Sequence, residues 1–404
     1  MTSILVVGGG FAGVSAAIVA ADEIHKLGSS QASSRGADAT VTLVSETDQM
    51  TIRPRLYEKN PETLRAPIRP ALDPAGVAFV EGAVDTIDTT AKSVTLRDGT
   101  SLTYDRLILA TGSELPPLPV PGVAEHTFNI DSYKGAVALD EQLQAVAKTP
   151  GAPGGDTYVI VGGGMTGIEL AAEMRNRIAQ HAGDEAAAAA KVILVEMADV
   201  IGPEFGANPR PVIETALAEA RVEQRLGQRV TGFDAGGVML DGGERIDAAT
   251  VVVTVGLRAN GLTAQIPGER DALGRLEVGD DLKVAGLEDV YATGDVAHAR
   301  VDDEGNYALM SCQHARTMGK YAGLNVVRDL TGAAPQPYRQ SDYTTCLDLG
   351  NFGAVFTIGW DRNVEKMGAD AKERKAMINT QWIYPPSGSA EEVFAALRID
   401  DRGR

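Results

Sequence analysis

Two glycine-rich turns constrain this chain more than any other feature. The first lies in ILVVGGGFAGVSAA, residues 4–17, and the second in VIVGGGMTGIELAAEM, residues 159–174. Each follows an apolar, β-branched run and opens a helical pattern. Each carries G-x-G-x-x-G: Gly8, Gly10 and Gly13, then Gly162, Gly164 and Gly167. The first glycine of such a motif makes a tight turn, the second lets backbone approach a pyrophosphate, and the third lets helix and strand pack closely. The helix N-terminus then points at the anion, with Phe11 and Ala12 in one first turn and Met165 and Thr166 in the other. An acid ends the strand after each helix, Glu46 in TVTLVSE and Glu196 in KVILVE, where a carboxylate can hold ribose hydroxyls. Glu46 lies 33 residues past Gly13 instead of about 20. The polar insertion GSSQASSRGAD, read as a surface loop, accounts for the excess.

The duplication extends further. SVTLRDGTSLTYDRLILATG reads as a hairpin turning at Asp98-Gly99 and then a buried strand ending at Gly112. VMLDGGERIDAATVVVTVG repeats that plan and closes at Gly256. The run PPLPVPG, residues 116–122, cannot be helix or central strand and reads as a linker. The alanine run 186–190 is expected to be helix. With 404 residues the chain is too long for one ordinary core. The expected domains are a discontinuous first unit over 1–118 and 265–330, a second over 119–264, and a small C-terminal domain over 331–404.

Composition narrows the partners. The formal charge of −18 repels phosphate backbones and anionic headgroups, so nucleic acid is not expected. The two cysteines, Cys312 and Cys346, have no zinc or C-x-x-C spacing; a reducing compartment and no metal site are expected. The start, MTSILVV, enters a strand at once and reads as having no signal peptide, and no apolar run is long enough to span a bilayer.

Two phosphate cradles imply two dinucleotides, and hydride passes between them only where their rings meet. A flavin and a nicotinamide make that pair, with the reacting atoms held about 3–3.5 Å apart. Glu196 repels a 2′-phosphate, and Glu196-Met197-Ala198-Asp199 offers no arginine to welcome one, which favours NADH over NADPH. The expected cofactors are FAD and NAD(H).

The motifs GGGFAG, LILATGS, GGGMTGIELAAE, VVVTVGLRAN and VYATGD, in that order over roughly residues 1–330, resemble the two-dinucleotide-binding flavoprotein superfamily of glutathione reductase type. The resemblance implies an α/β fold of two Rossmann-like three-layer dinucleotide-binding domains, plus the small C-terminal α+β domain. It places Gly294 and Asp295 at the ribityl–phosphate region of the flavin, Ala110, Thr111, Gly112, Val255 and Gly256 near cofactor at the domain junctions, and the backbone of Val84 against adenine. Disulfide reductases of the superfamily carry a cysteine or cysteine pair beside the flavin, but no cysteine precedes Cys312 here, so no disulfide relay is expected. Cys312 and Cys346 read as buried structural thiols.

The segment ALMSCQHARTMGKYAGLNVVRDL resembles the helix of type II NADH dehydrogenases that lines the acceptor face of the flavin, and GGGMTGIELAAEM resembles that family's second glycine turn. By that likeness Gln313, and His314 beside it, stand at the acceptor side. The family's paired glutamines are Thr317 and Met318 here. Arg53-Pro54 resembles the RP that runs beside the flavin in ferredoxin reductase-like members. Those relatives place a lysine five residues on, where this chain has Glu58 and then Lys59. In some of them it pairs with the glutamate matching Glu169, so the partner of Glu169 stays open. The tail AEEVFAALRIDDRGR is short, acidic and weakly amphipathic, so membrane association is left open without being favoured. Trp382-Ile383-Tyr384 reads as core packing in preference to an interfacial patch.

The expected activity is an FAD-dependent NADH dehydrogenase-like oxidoreductase passing electrons to a quinone or quinone-like small molecule. The chain is expected in the cytoplasm, at most peripheral to the inner face of the membrane, with a homodimer compatible. Two alternatives stand beside it: an NADH-dependent reductase of a small iron–sulfur protein, and a non-enzymatic flavoprotein that signals its NADH-bound state through partner binding.

Overall fold

A computed structural model describes residues 2–29, 36, 38–116 and 118–399. Most of the Gly/Ser insertion, Pro117 of the linker and the final polar residues lie outside the described residues.

Ser3–Val7 is buried along most of its length, as expected of a central parallel strand. It sits in a five-stranded sheet in the order Val290–Ala292, Arg106–Leu109, Ser3–Val7, Thr40–Ser45, Ala78–Glu81. All of its pairings are parallel. The second unit repeats this with Val222–Arg225, Lys191–Val195, Thr157–Val161 and Thr250–Val253. In each sheet the strand order reverses beside the first strand, and in such sheets ligands bind outside the C-terminal strand ends at that point. Val7 is level with Val44 and Leu109, and Val161 with Val195 and Val253, so both glycine turns emerge at this edge.

The repeat is detailed. A three-stranded antiparallel sheet, Val84–Asp88, Ser93–Leu96 and Ser101–Thr103, attaches to the first unit, and Val230–Asp234, Gly237–Leu240 and Arg245–Asp247 attach to the second. Both carry a register shift at the start of the first strand, between Val84 and Thr86 and between Val230 and Gly232.

Three helices carry the chemistry-bearing segments: α1 (Phe11–Ser29), α2 (Met165–Ala189) and α3 (Cys312–Thr331). The alanine run falls in α2 as far as Ala189, beyond a break at Gly183, and Ala190 is the non-helical C-cap. α1 and α3 cross backbone to backbone: a Cβ on Gly319 would stand 2.3 Å from the Ala12 carbonyl oxygen, and one on Gly323 2.3 Å from that of Ala16.

The C-terminal segment forms an antiparallel sheet of Thr344–Asp348, Ala354–Ile358 and Asn363–Gly368, then α4 (Ala369–Met377) and α5 (Ala390–Leu397). It packs against both larger units. Leu347, Leu349 and Val355 join the core of the second unit, while Ile383, Val393, Phe394 and Leu397 join that of the first. α5 starts with a capping box between Ser389 and Glu392. Its apolar face is spent on α1, with the Phe394 ring 5.8 Å from that of His25. Ile383 is buried and Tyr384 accepts a 2.6 Å bond from Arg55, whereas Trp382 is exposed. Among the described residues no helix is long and apolar enough to cross a membrane.

The α1–α3 crossing supplies a stability test. Gly323→Val forces side-chain volume into the Ala16 backbone and is expected to cost about 1–3 kcal/mol. The measurement is denaturant unfolding of the flavin-loaded protein; an unchanged midpoint would show that the helices can part without penalty.

Candidate functional site

The strand ends of the first sheet, the start of α2 and the C-terminal segment enclose a cleft of about 910 Å³. The first glycine turn forms its floor. Gly8 adopts φ +115°, where a side chain is strained, and a Cβ there would stand 2.3 Å from the Ala110 carbonyl oxygen. At Gly13 a Cβ would stand 1.8 Å from the Gly8 carbonyl oxygen, whereas at Gly10 nothing lies within 4 Å. The turn is therefore tight on its protein side and open on its cleft side, as a cradle for a dinucleotide pyrophosphate must be. The buried Thr111 hydroxyl in the wall has no partner among the described residues. These features fit FAD.

Gly8, Gly10, Phe11, Ala12, Glu46, Arg53, Val84, Ala110, Thr111, Gly112, Gly294 and Asp295 all line this cleft. Gly13 stands behind the turn as packing. Arg53 is held by an ion pair with Asp131 and bonds to the Ser113 carbonyl (3.2 Å) and hydroxyl (3.0 Å). Ser113 donates in turn to Asp295 at 2.7 Å. Burial pushes the Asp295 carboxyl up, and Arg53, 3.7 Å away, opposes that shift. Glu46 is at the exposed rim, 3.6 Å from Arg97.

From the second unit, Met165, Thr166 and Glu169 of α2 reach the same cleft, while Gly162, Gly164, Gly167, Glu196 and Gly256 lie outside its wall. A Cβ on Gly167 would stand 1.8 Å from the Gly162 carbonyl oxygen, the same distance as in the first turn. The Glu196 carboxylate accepts from Gly163 N at 2.6 Å and from Ala198 N at 2.8 Å, which anchors it at the turn.

The partner of Glu169 is Lys375 of α4, at 2.8 Å, with both side chains buried. Asp348 N also donates to Glu169, at 3.0 Å, and Lys375 donates to the Cys346 carbonyl at 3.0 Å. Burial pushes the Glu169 carboxyl up and the ammonium offsets part of that. Glu58, at the position where relatives carry a lysine, instead binds Arg55 at 2.7 Å and Asn379 at 2.7 Å. Lys375 lies 206 residues from Glu169, inside the charged helical run AKERKAM, and no spacing rule connects the two.

Elsewhere in the wall, Gln313 is fixed by Thr344, donating to its carbonyl at 3.3 Å and accepting from its hydroxyl at 3.0 Å. Cys312 and Cys346 both line the cleft, so they are wall residues and not remote packing. Burial pushes both thiols up, Cys346 to about 11, which favours their protonated form near neutral pH. Thr317 and Met318 are buried and absent from the wall.

His314 does not share the position of Gln313. It is fully buried, bonded through Nδ1 to Ser311 at 3.0 Å, and stacked on Tyr343 at 5.3 Å. Tyr343 stacks on Trp360 at 4.6 Å. Arg362 lies over the Tyr343 ring (5.0 Å) and the Phe205 ring (5.2 Å). Burial pulls the His314 pKa down to about 4, so the ring packs as neutral imidazole. The sequence placed it one residue from a cleft side chain, but one helical step is a rotation of about 100°, enough to point it elsewhere.

A glycine cradle on the floor of the cleft, and a second one behind the helix α2 whose first turns reach the same cleft, define a two-dinucleotide oxidoreductase. The family model described as pyridine nucleotide-disulphide oxidoreductase matches residues 2–319, and the chain belongs to that family. It is 44% identical over 397 residues to an NADH dehydrogenase-like protein of Mycobacterium tuberculosis, covering 98% of each chain. It is 25% identical to a type II NADH:quinone oxidoreductase of Staphylococcus saprophyticus, over 95% of this chain and 96% of the other. The fold matches NDH2 from Plasmodium falciparum, solved with NADH, at a TM-score of 0.76 and 14% identity, covering 98% of this chain and 97% of that one. The protein is an oxidoreductase of the type II NADH dehydrogenase-like branch, with FAD and NAD(H) as cofactors.

The buried imidazole predicts an acid limit. A pKa depressed in the folded state contributes stability that is full above the ordinary value of 6.5 and is lost as pH falls toward 4. His314→Gln is expected to flatten the fall in stability across that window relative to the parent. Denaturant unfolding at a series of pH values checks it, and parallel profiles would mean that His314 is not the group taking up the proton.

Proposed function

We propose that the chain oxidises NADH and delivers the electrons to a quinone or quinone-like small molecule that reaches the cleft at Gln313. One observation carries this reading: the first two turns of α2, with Met165, Thr166 and Glu169, and the first turn of α3, with Gln313, are walls of a single cleft whose floor is the first glycine turn. The acceptor in this reading is the one named for the Staphylococcus relative. The capacity to accept hydride and release electrons is supplied by FAD when it is bound.

The chain's own residues position and seal. Gly10 and the start of α1 hold the flavin pyrophosphate, and Glu46 its ribose. Arg53 and Asp295, tied through Ser113, fix the middle of the cofactor. Gly162, Gly164 and Gly167 cradle the pyrophosphate of NAD(H), with Glu196 at its ribose. Glu169, neutralised by Lys375, presents a carboxylate at the nicotinamide side without an uncompensated charge in the cleft. Breaking such a buried pair costs about 3–5 kcal/mol, so the pair also holds α4 against α2. Gln313 offers its amide to the acceptor's oxygens, and Cys346 and Ile378 keep that wall apolar. Reducing a quinone with NADH consumes one proton from solvent besides the transferred hydride.

The decisive experiment is steady-state NADH oxidation by the purified flavoprotein with short-chain quinones, ferricyanide, a ferredoxin or oxygen alone. Quinones are expected to raise turnover well above the oxygen rate; a ferredoxin doing so instead would favour the iron–sulfur reading. Gln313→Ala is expected to lower quinone turnover about tenfold, a loss of about 1.4 kcal/mol, while anaerobic flavin reduction by NADH keeps its rate. Slowed reduction would put Gln313 on the nicotinamide side. Glu196→Arg is expected to shift preference toward NADPH, read as the ratio of kcat/KM values for the two nucleotides; an unchanged ratio would remove Glu196 from the ribose.

A further inference from the structure

The second glycine turn is already engaged by a carboxylate besides Glu196. Glu204 accepts a 2.9 Å bond from Met165 N, at the N-terminus of α2. Its Oε1 lies 2.9 Å from where a Cβ on Gly164 would stand, over the glycine whose bare backbone leaves room for a pyrophosphate. Neither α1 nor α2 has an acid in its own first turn, so the carboxylate comes from a separate loop, and in the first unit nothing stands within 4 Å of a Cβ at Gly10. At the second glycine of the motif, therefore, the first cradle is open and the second is capped from within.

The loop that carries Glu204 is braced. Gly202 N donates to the Gly163 carbonyl at 3.0 Å. Phe205 is buried under the Arg362 guanidinium, and Asn208 donates to the Asp361 carbonyl at 2.8 Å and to Asn363 at 3.2 Å. Glu204 itself is exposed, and among the described residues it forms no ion pair within 4 Å. Its neighbours hold the backbone, while its carboxylate is free to rotate away.

We infer that Glu204 is an internal competitor for the pyrophosphate of NAD(H), so that nucleotide binding at α2 is an exchange of one anion for another. This rests on the reading that the pyrophosphate occupies the turn 162–167. A carboxylate at a helix N-terminus is stabilised by the positive end of the dipole and by the unpaired N–H groups there. Removing the resident carboxylate also removes its repulsion of the incoming diphosphate. Glu204 thus weakens nucleotide affinity and speeds product release while leaving the reaction chemistry alone.

The test is equilibrium binding of NAD+, ADP-ribose and adenosine to the flavin-loaded protein by titration calorimetry. Glu204→Ala is expected to tighten ADP-ribose and NAD+ binding about three- to tenfold, with Glu204→Gln changing in the same direction by less. Adenosine, which has no pyrophosphate, is expected to bind as before. Unchanged or weaker ADP-ribose binding in both variants overturns the inference, as does an equal gain for adenosine. Glu196→Arg separates the two levels. If that variant fails to gain affinity for 2′-phospho-ADP-ribose, the placement of the nucleotide is wrong. If it gains affinity while the Glu204 variants are neutral, only the competition is wrong.

Discussion

The close approach of helix to strand at the two glycine turns is the constraint on which the rest of the molecule depends. At Gly13 and Gly167 the distance to the preceding turn's carbonyl leaves no room for a methyl group. That approach aims the N-termini of α1 and α2 along the same line as the strand ends. Both helices then deliver backbone N–H groups, and the positive end of their dipoles, to the edge where the strand order reverses. A side chain at either position would push the helix outward and tilt those donors off the anion. The cofactor sites follow from packing first and from polar side chains second.

The C-terminal segment completes the cleft by electrostatics across a long sequence gap. Lys375 is carried on a short, charged helix that would be marginal alone. It is held in place because the Glu169 carboxylate, buried on α2, needs a cation. Asp348 and Cys346 contribute backbone groups to the same cluster, so the sheet that closes the cleft beside Gln313 is fixed by a carboxylate on α2. α5 finishes the enclosure from the other direction by burying its apolar face on α1, so the tail is bound to both larger units.

The parts legible in sequence were those written in local pattern. The strand–turn–helix units, the antiparallel hairpins and the acids at strand ends have short-range signatures, and the cleft contains most of the residues they named. The motif likeness also singled out Gln313, which lines the cleft, while Thr317 and Met318, at the family's paired-glutamine positions, are buried away from it. What local pattern could not carry was set by contacts distant in sequence. Lys375 as the partner of Glu169, Asp131 and Ser113 around Arg53, and Thr344 holding Gln313 all depend on tertiary placement. His314 shows a different limit: its neighbour faces the cleft, but the helix turns it into an aromatic stack that no one-dimensional pattern announces.

Arg362 lies over the rings of both Phe205 and Tyr343, one in the loop that carries Glu204 and the other in the cleft wall near Gln313. A flat cation set against two aromatic faces acts as a shim of set thickness. The clearance available to whatever enters at Gln313 and the seat of the loop at α2 are therefore machined from one part, and neither tolerance can be altered without resetting the other.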